Sequence, residues 1–305
     1  MYKRILVPLD GSRLAEQTLP YVRLLAGKLS LPVELLRVID HVPPTLADPE
    51  HKRYLDQVAL SLQNEAADYL GGVAASLEEA GLKVSTSVHE GGHASDVASY
   101  IVSEAESQPE TLIAMSTHGR SGPSRWMLGS ISDKVLHAAT VPLFLVHSRK
   151  DEEAVAEPKL ETVLAPLDGS PLAEGILDHV VAVAEPLGLK VVLLNVTPPT
   201  YTALMAEGAA AVAVDVRQEP SEATLDYLGG IEARLRAKGI AEVETKALWG
   251  PPADVILDAA LEMRNGLVAM STHGRSGVGR WLMGSIADRV VRYAGVPVLV
   301  SRSSG

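Results

Sequence analysis

Two stretches of this 305-residue chain concentrate the residues that could do chemistry, and they are nearly the same stretch. STHGRSGPSRWMLGS fills residues 116–130 and STHGRSGVGRWLMGS residues 271–285, with 11 of 15 positions identical. Each opens on Ser-Thr-His-Gly (Ser116 to Gly119, Ser271 to Gly274), runs nine residues, and closes on Gly-Ser (Gly129-Ser130, Gly284-Ser285). Glycine has no Cβ, so backbone at such positions can approach a ligand closely. The closing pairs also open the helical patterns SISDKVLHAA and SIADRVVRYA, and a helix N-terminus presents unpaired N–H groups and the positive end of the dipole. Charge agrees: His118, Arg120 and Arg125 in one copy, His273, Arg275 and Arg280 in the other, with no acid in either. The whole chain holds 27 Lys and Arg against 38 Asp and Glu, a formal charge of −11. Acid-free basic loops at two equivalent places therefore read as phosphate sites, against the plainer alternative of Gly-rich connections in which Ser only caps a helix.

Other candidates are weaker singly. Asp10 and Asp168 follow apolar strand-like runs in VPLDGS and APLDGS; a carboxylate there accepts hydrogen bonds from a sugar hydroxyl or an amino group, or else closes a turn on its own backbone. Ser12 and Ser170 are placed to cap the next helix. His118 and His273 could donate to phosphate or move a proton, and Trp126 and Trp281 could pack or grip the loop. Familiar catalytic signatures are missing: G-x4-G-K-[ST], G-x-G-x-x-G after the first strand, H-E-x-x-H, and a nucleophile elbow. With no cysteine there is no thiolate metal site, disulfide or thiol nucleophile. Binding is better supported than turnover. The acidic balance disfavours nucleic acid and anionic membranes. MYKRILVPLDGS is too short in apolar residues for a signal peptide, and no apolar run approaches 18 residues, so a cytoplasmic address without a membrane span is expected.

The elements that must position these residues are written twice. At an offset of 158, VPLDGS matches APLDGS, DYLGG at 68–72 matches DYLGG at 226–230, and Gly81 and Asp96 match Gly239 and Asp254; three residues are then lost before the Ser-Thr-His-Gly loops. A period this long denotes tandem domains. The charged segment RKDEEAVAEPK reads as a linker, giving domains at 1–148 and 160–305 joined through 149–159. In each half five short runs rich in branched aliphatics, in the first RILVPL, PVELLRVI, LKVSTSV, TLIAMS and VPLFLV, alternate with helical patterns. That alternation predicts an α/β domain, a parallel sheet covered by helices on both faces. Gly71-Gly72 inside a helical pattern is read as close packing or a kink, and the Ala-rich run at 202–214 has no assigned role.

The glycine loop, with the Asp that follows strand one, resembles the nucleotide-binding branch of the universal stress protein family, whose motif is G-x2-G-x9-G-[ST]. The resemblance covers both halves apart from the linker and the segments near 45–60 and 200–220; the motif's first glycine is Ser116 in one copy and Ser271 in the other. It implies two tandem Rossmann-like domains of the adenine nucleotide alpha hydrolase type, each a five-stranded sheet of order 3-2-1-4-5. Such sheets bind ligands at the switch point, outside the carboxyl ends of the strands. It further implies an adenine nucleotide in each half, ATP or else ADP or AMP, with Mg2+ or Mn2+ arriving on the phosphates, in a stress-response or regulatory role. By that resemblance Asp10 and Asp168 would meet the adenosine moiety. Val38, Met115, Val196 and Met270 would line the adenine pocket, beside Pro8 and Pro166. Gly119, Gly129, Ser130 and Ile131, with Gly274, Gly284, Ser285 and Ile286, would meet ribose and phosphates. The last strands of the two halves would pair antiparallel as an internal pseudo-dimer, an edge that two chains could also use as a homodimer. Two other functions compete: a nucleotide-free interaction scaffold, and a slow ATPase or phosphotransferase using His118 or His273.

Overall fold

The computed structural model describes residues 1–40, 49–91, 94–108, 110–117, 128–147, 157–204, 212–216, 220–272 and 283–302. His118, Gly119, Arg120 and Trp126 in one loop, and His273, Gly274, Arg275 and Trp281 in the other, lie outside the described residues, as does most of the linker. The chain divides into two compact units, one built on Met1–Lys159 and the other on Leu160–Val278 with Met283–Val298.

In the first unit the order is β1 (Arg4–Pro8), α1 (Arg13–Glu16), α2 (Leu19–Leu29), β2 (Val33–Asp40), α3 (Pro49–Glu79), β3 (Val84–Gly91), α4 (Ala94–Ser107), β4 (Thr111–Ser116), α5 (Ser130–Ala138) and β5 (Leu143–Val146). The strands lie in the order β3-β2-β1-β4-β5, with every pairing parallel. A parallel sheet carries helices on both faces, so its strands are apolar throughout rather than alternating. Accordingly all six residues of β4 are buried, and Ile5, Leu6, Val7 and Phe144 have no exposed surface.

The second half of the sequence repeats the plan: β6 (Thr162–Pro166), α6 (Pro171–Glu174), α7 (Leu177–Leu187), β7 (Lys190–Thr197), β8 (Thr200–Leu204), β9 (Val212–Val216), α8 (Glu222–Ala237), β10 (Val243–Trp249), α9 (Pro252–Glu262), β11 (Gly266–Thr272), α10 (Ser285–Tyr293) and β12 (Val298–Arg302). Its sheet runs β10-β7-β6-β11-β12, parallel in the pairings of β7, β6, β10 and β11. The expected α/β class and the 3-2-1-4-5 order are therefore present in both halves.

Three local readings change. The first helical pattern, SRLAEQTLPYVRLLAGKL, is two helices, with a tight turn at Gln17 and Thr18 made by bonds to Leu14 and Ala15 carbonyls. Pro20 in the first turn of α2 has no N–H to continue the ladder. The same break falls at Gly175 and Ile176, where no proline follows, so the proline suits the break without causing it. Gly71 and Gly72 are interior to α3, and a Cβ on either would meet nothing within 4 Å; they are exposed, not closely packed. The segment around 202–214 contributes the antiparallel ladder of β8 on β9, from Thr200↔Val216 to Leu204↔Val212. The corresponding stretch of the first half enters α3.

Candidate functional site

Each site is built first on the turn that leaves strand one. Leu9 N–H still donates to the Leu36 carbonyl at 2.8 Å, and Leu167 N–H to Leu194 at 2.8 Å, so the chain departs from the sheet only at Asp10 and Asp168. The next residues, Gly11 and Gly169, have φ of +80° and +86°, a region where a side chain would be strained. Asp10 Oδ1 accepts from Ser12 N–H at 2.9 Å and Asp168 Oδ1 from Ser170 N–H at 2.9 Å. One carboxylate oxygen thus closes the turn, the local alternative that the sequence left open, and Oδ2 stays outside that bond. Ser12 and Ser170 then cap α1 and α6, accepting from Ala15 N–H at 3.2 Å and Ala173 N–H at 3.1 Å.

The second wall comes from the end of strand four. In the first half Thr117 N–H bonds the Val146 carbonyl at 2.8 Å, while the Thr117 carbonyl accepts from Gly129 N–H at 2.7 Å and from Ser132 Oγ at 2.7 Å. These bonds bring the Gly129-Ser130 start of α5 back to the end of β4. Gly129 and Gly284 are the N-caps of α5 and α10, and neither helix has a side-chain cap. The first-turn amides, which an α-helix cannot satisfy internally, are left for solvent or an anion. Asp133 and Asp288 lie in those same first turns, and Asp288 is held by Arg292 at 2.9 and 3.0 Å.

In the second unit these walls enclose a cavity of about 330 Å³, within the range of small-molecule sites. Pro166, Asp168, Val196, Met270, Ser271, Gly284, Ser285 and Ile286 line it, so the structure gathers there every second-half site residue that it describes. Leu172, Leu194, Pro198, Pro252 and Ile256 complete a largely apolar wall. They carry no chemistry of their own, and only the topology shows that α9 reaches the crevice. The serine in the motif's first glycine position does not fill the space: Ser271 is part of the lining. In the first unit the same connections carry Pro8, Asp10, Val38, Met115, Ser116, Gly129, Ser130 and Ile131 to the carboxyl ends of β1, β2 and β4. Met115 and Ser116 are each 6% exposed.

Behind each Asp turn lies a cluster built by the repeated DYLGG motif, which the sequence reading used only as a marker of the repeat. Tyr69 on α3 donates to Glu16 Oε1 on α1 at 2.9 Å, and the buried Arg37 guanidinium stacks 5.1 Å from the Tyr69 ring centre. Burial, then the Glu16 and Asp10 carboxylates, hold the Tyr69 phenol well above its ordinary range. In the second half Asn195 replaces Arg37 and donates to the Leu167 carbonyl at 2.8 Å, while Glu174 is taken by Arg234 at 2.6 Å. Tyr227 Oη is buried without a hydrogen-bond partner among the described residues, and burial with the Glu174 and Asp168 charges pushes its phenol up to about 12.

Among the described residues no group of three His, Asp or Glu could hold a metal ion, and no described helix is long and apolar enough to cross a membrane. The family model of the universal stress proteins matches residues 1–147 and again 159–302. A universal stress protein of Mycolicibacterium smegmatis is 27% identical over 318 aligned positions, covering 98% of this chain and 96% of its own. The crystal structure of a universal stress protein from Archaeoglobus fulgidus superposes with a TM-score of 0.73 at 25% identity, covering 99% of this chain and 98% of that one. A second, from Pseudomonas aeruginosa, shares the fold at 19% identity, with a TM-score of 0.65 and coverage of 99% and 93%. Two family matches in series, over halves that each repeat the same sheet and the same glycine-bordered helix start, place this chain in the universal stress protein family as a tandem of two such domains.

Proposed function

We propose that the chain binds an adenine nucleotide, ATP or a lower phosphate, in each half and acts as a nucleotide-responsive stress or regulatory protein. The observation that carries this reading is the second-half cavity, where an apolar wall, a carboxylate and an uncapped helix start meet at the switch point of a parallel sheet. Val196, Pro198 and Met270 suit the face of a base, and Asp168 suits ribose hydroxyls. The first-turn amides of α10 suit phosphate oxygens, since amides at a helix start offer donors together with the dipole. A carboxylate beside phosphate would repel it, so the base and sugar lie toward Asp168 and the anion toward Gly284. Any Mg2+ or Mn2+ would enter on the phosphates.

Gly284→Val tests the assignment. A branched side chain at the N-cap narrows the approach of a phosphate to the amides, so calorimetry on the full chain should lose one of two ATP sites, and Gly129→Val should remove the other. Charge-assisted hydrogen bonds of about 1.5–3 kcal/mol each make micromolar affinity reasonable, about −8 kcal/mol. Unchanged stoichiometry in both variants would refute the site.

A further inference from the structure

A second group of chemically capable side chains stands apart from the glycine loops, on the outermost strand of the first sheet. Ser87 and His89 alternate along β3 and so share the face of the sheet on which α4 supplies Tyr100. Ser87 Oγ lies 2.7 Å from His89 Nε2, and Tyr100 Oη lies 2.5 Å from His89 Nδ1. The Tyr100 ring also packs on the imidazole, with centroids 4.4 Å apart and a tilt of 36°. All three residues are half-buried, shielded but not sealed from solvent. The fold does not ask for this cluster. On the ladder of the second half, Lys246 and Leu248 stand where β3 has Ser87 and His89, and the offset that pairs Asp96 with Asp254 puts Asp258 in the place of Tyr100.

A hydroxyl held by one imidazole nitrogen, while a third group holds the other, is the arrangement of an activated nucleophile. The strand adds a donor. β3 ends the sheet, and Val33 N–H donates to the Lys83 carbonyl at 2.8 Å, which in a parallel ladder turns the odd-numbered residues of β3 toward β2. The Val88 amide, next to Ser87, therefore faces outward from the edge, placed to meet a developing oxyanion. We propose that Ser87 is a nucleophile for acyl transfer from small esters, with His89 as its base and Tyr100 as the positioning residue, independently of nucleotide binding. His89 Nδ1–H donates to Tyr100 Oη, which leaves Nε2 to take the Ser87 proton as Oγ bonds to the ester carbonyl carbon. The bond from that carbon to the alkoxy oxygen then breaks, and Nε2 gives the proton to the departing alcohol. Water, deprotonated by the same nitrogen, splits the acyl-serine to a carboxylic acid and restores Ser87.

The test treats the full chain with a fluorophosphonate, in which an Oγ–P bond forms, the P–F bond breaks and fluoride leaves, and maps the adduct by peptide mass spectrometry. A phosphonyl group is expected on Ser87 and not on Ser85, which lies two residues along the same strand and is more exposed. His89→Gln should slow the labelling about a hundredfold, the ordinary contribution of a general base. Tyr100→Phe keeps the ring against the imidazole and removes the hydroxyl; it should slow labelling about fivefold, since only the orientation of the base is lost. With p-nitrophenyl acetate the parent should release nitrophenolate in a burst that Ser87→Ala lacks. Ser85 labelled as fast as Ser87, or Ser87 labelled as fast in the urea-unfolded chain as in the folded one, would overturn the proposal, and both comparisons use the unsubstituted protein. So would labelling unchanged in His89→Gln, or labelling as fast or faster in Tyr100→Phe, because a phenol that donates to Nδ1 would leave Nε2 protonated and restrain the serine rather than activate it.

Discussion

Ser30 and Gly188 occupy the same point of the two repeats, the residue that ends the second helix, and both are left-handed, at φ 54° and 64°. Glycine adopts that conformation freely, whereas a side chain there is strained by about 1–2 kcal/mol. Part of the gain from replacing serine is returned to the more flexible unfolded chain. Ser30→Gly should therefore stabilise the first unit by about 0.5–1 kcal/mol in denaturant titrations, while Gly188→Ser should destabilise the second by a similar amount. Short-range chemistry of this sort is readable from sequence: Ser12 and Ser170 cap their helices, and Gly81 closes α3 with φ +83°, its N–H bonded to the Glu78 carbonyl at 2.8 Å. The second role of Asp10 and Asp168, as turn closers, was equally local. Tyr69 was not readable, because its partner Glu16 stands 53 residues away on α1, and neither was Tyr227, because the equivalent carboxylate, Glu174, is held by Arg234.

At the scale of elements, the inner strands were legible because a sheet buried on both faces demands apolar runs, as in TLIAMS of β4 and LFLV of β5, whereas the outermost strands β3 and β10 carry polar, partly exposed residues. What ties them at the amino ends of the strands was not. Arg4 on β1, 4% exposed, donates from Nε to Thr111 Oγ1 on β4 at 2.9 Å, from Nη1 to Glu104 Oε1 on α4 at 3.3 Å, and also to Glu34 on β2. The second half has Thr162, Val192 and Gly266 at the places of Arg4, Glu34 and Thr111, so this network belongs to the first half alone. Removing one member of a buried ion pair leaves the others uncompensated, which typically costs about 3–5 kcal/mol. Arg4→Ala should fall near the lower bound, about 3 kcal/mol, because Glu34 and Glu104 keep some contact with water. Differential scanning calorimetry of the full chain should show the loss in the transition of the first unit.

For the molecule as a whole, ionisation of buried phenols sets an alkaline limit. Burial raises Tyr2, Tyr21, Tyr69 and Tyr227 above the ordinary value of 10.0, Tyr227 to about 12 and Tyr2 and Tyr69 further. A phenol with a raised folded value holds its proton in the native state after the unfolded chain has released it. Its contribution is complete below pH 10 and declines as pH rises through the folded values. Denaturant midpoints should be flat to about pH 9 and then fall, with phenolate absorbance rising in step with unfolding, and Tyr227→Phe should flatten part of that slope. A midpoint independent of pH up to 11.5 would exclude this account.

The residues alone determined the repeat, the α/β alternation, the helix caps and the two basic glycine loops, since each depends on pattern or on neighbours a few positions apart. Tertiary structure decided what depends on distant segments meeting. It alone brought Pro252 and Ile256 of α9 into the wall of the second-half cavity, kept that cavity open beside Ser271, and turned the 202–214 region into part of a two-stranded ladder. It also decided that Gly71 and Gly72 face open space. The physical reason is common to all four: periodicity reports which face of an element is apolar, whereas enclosure, exposure and pairing are set by whatever the rest of the chain lays against that face.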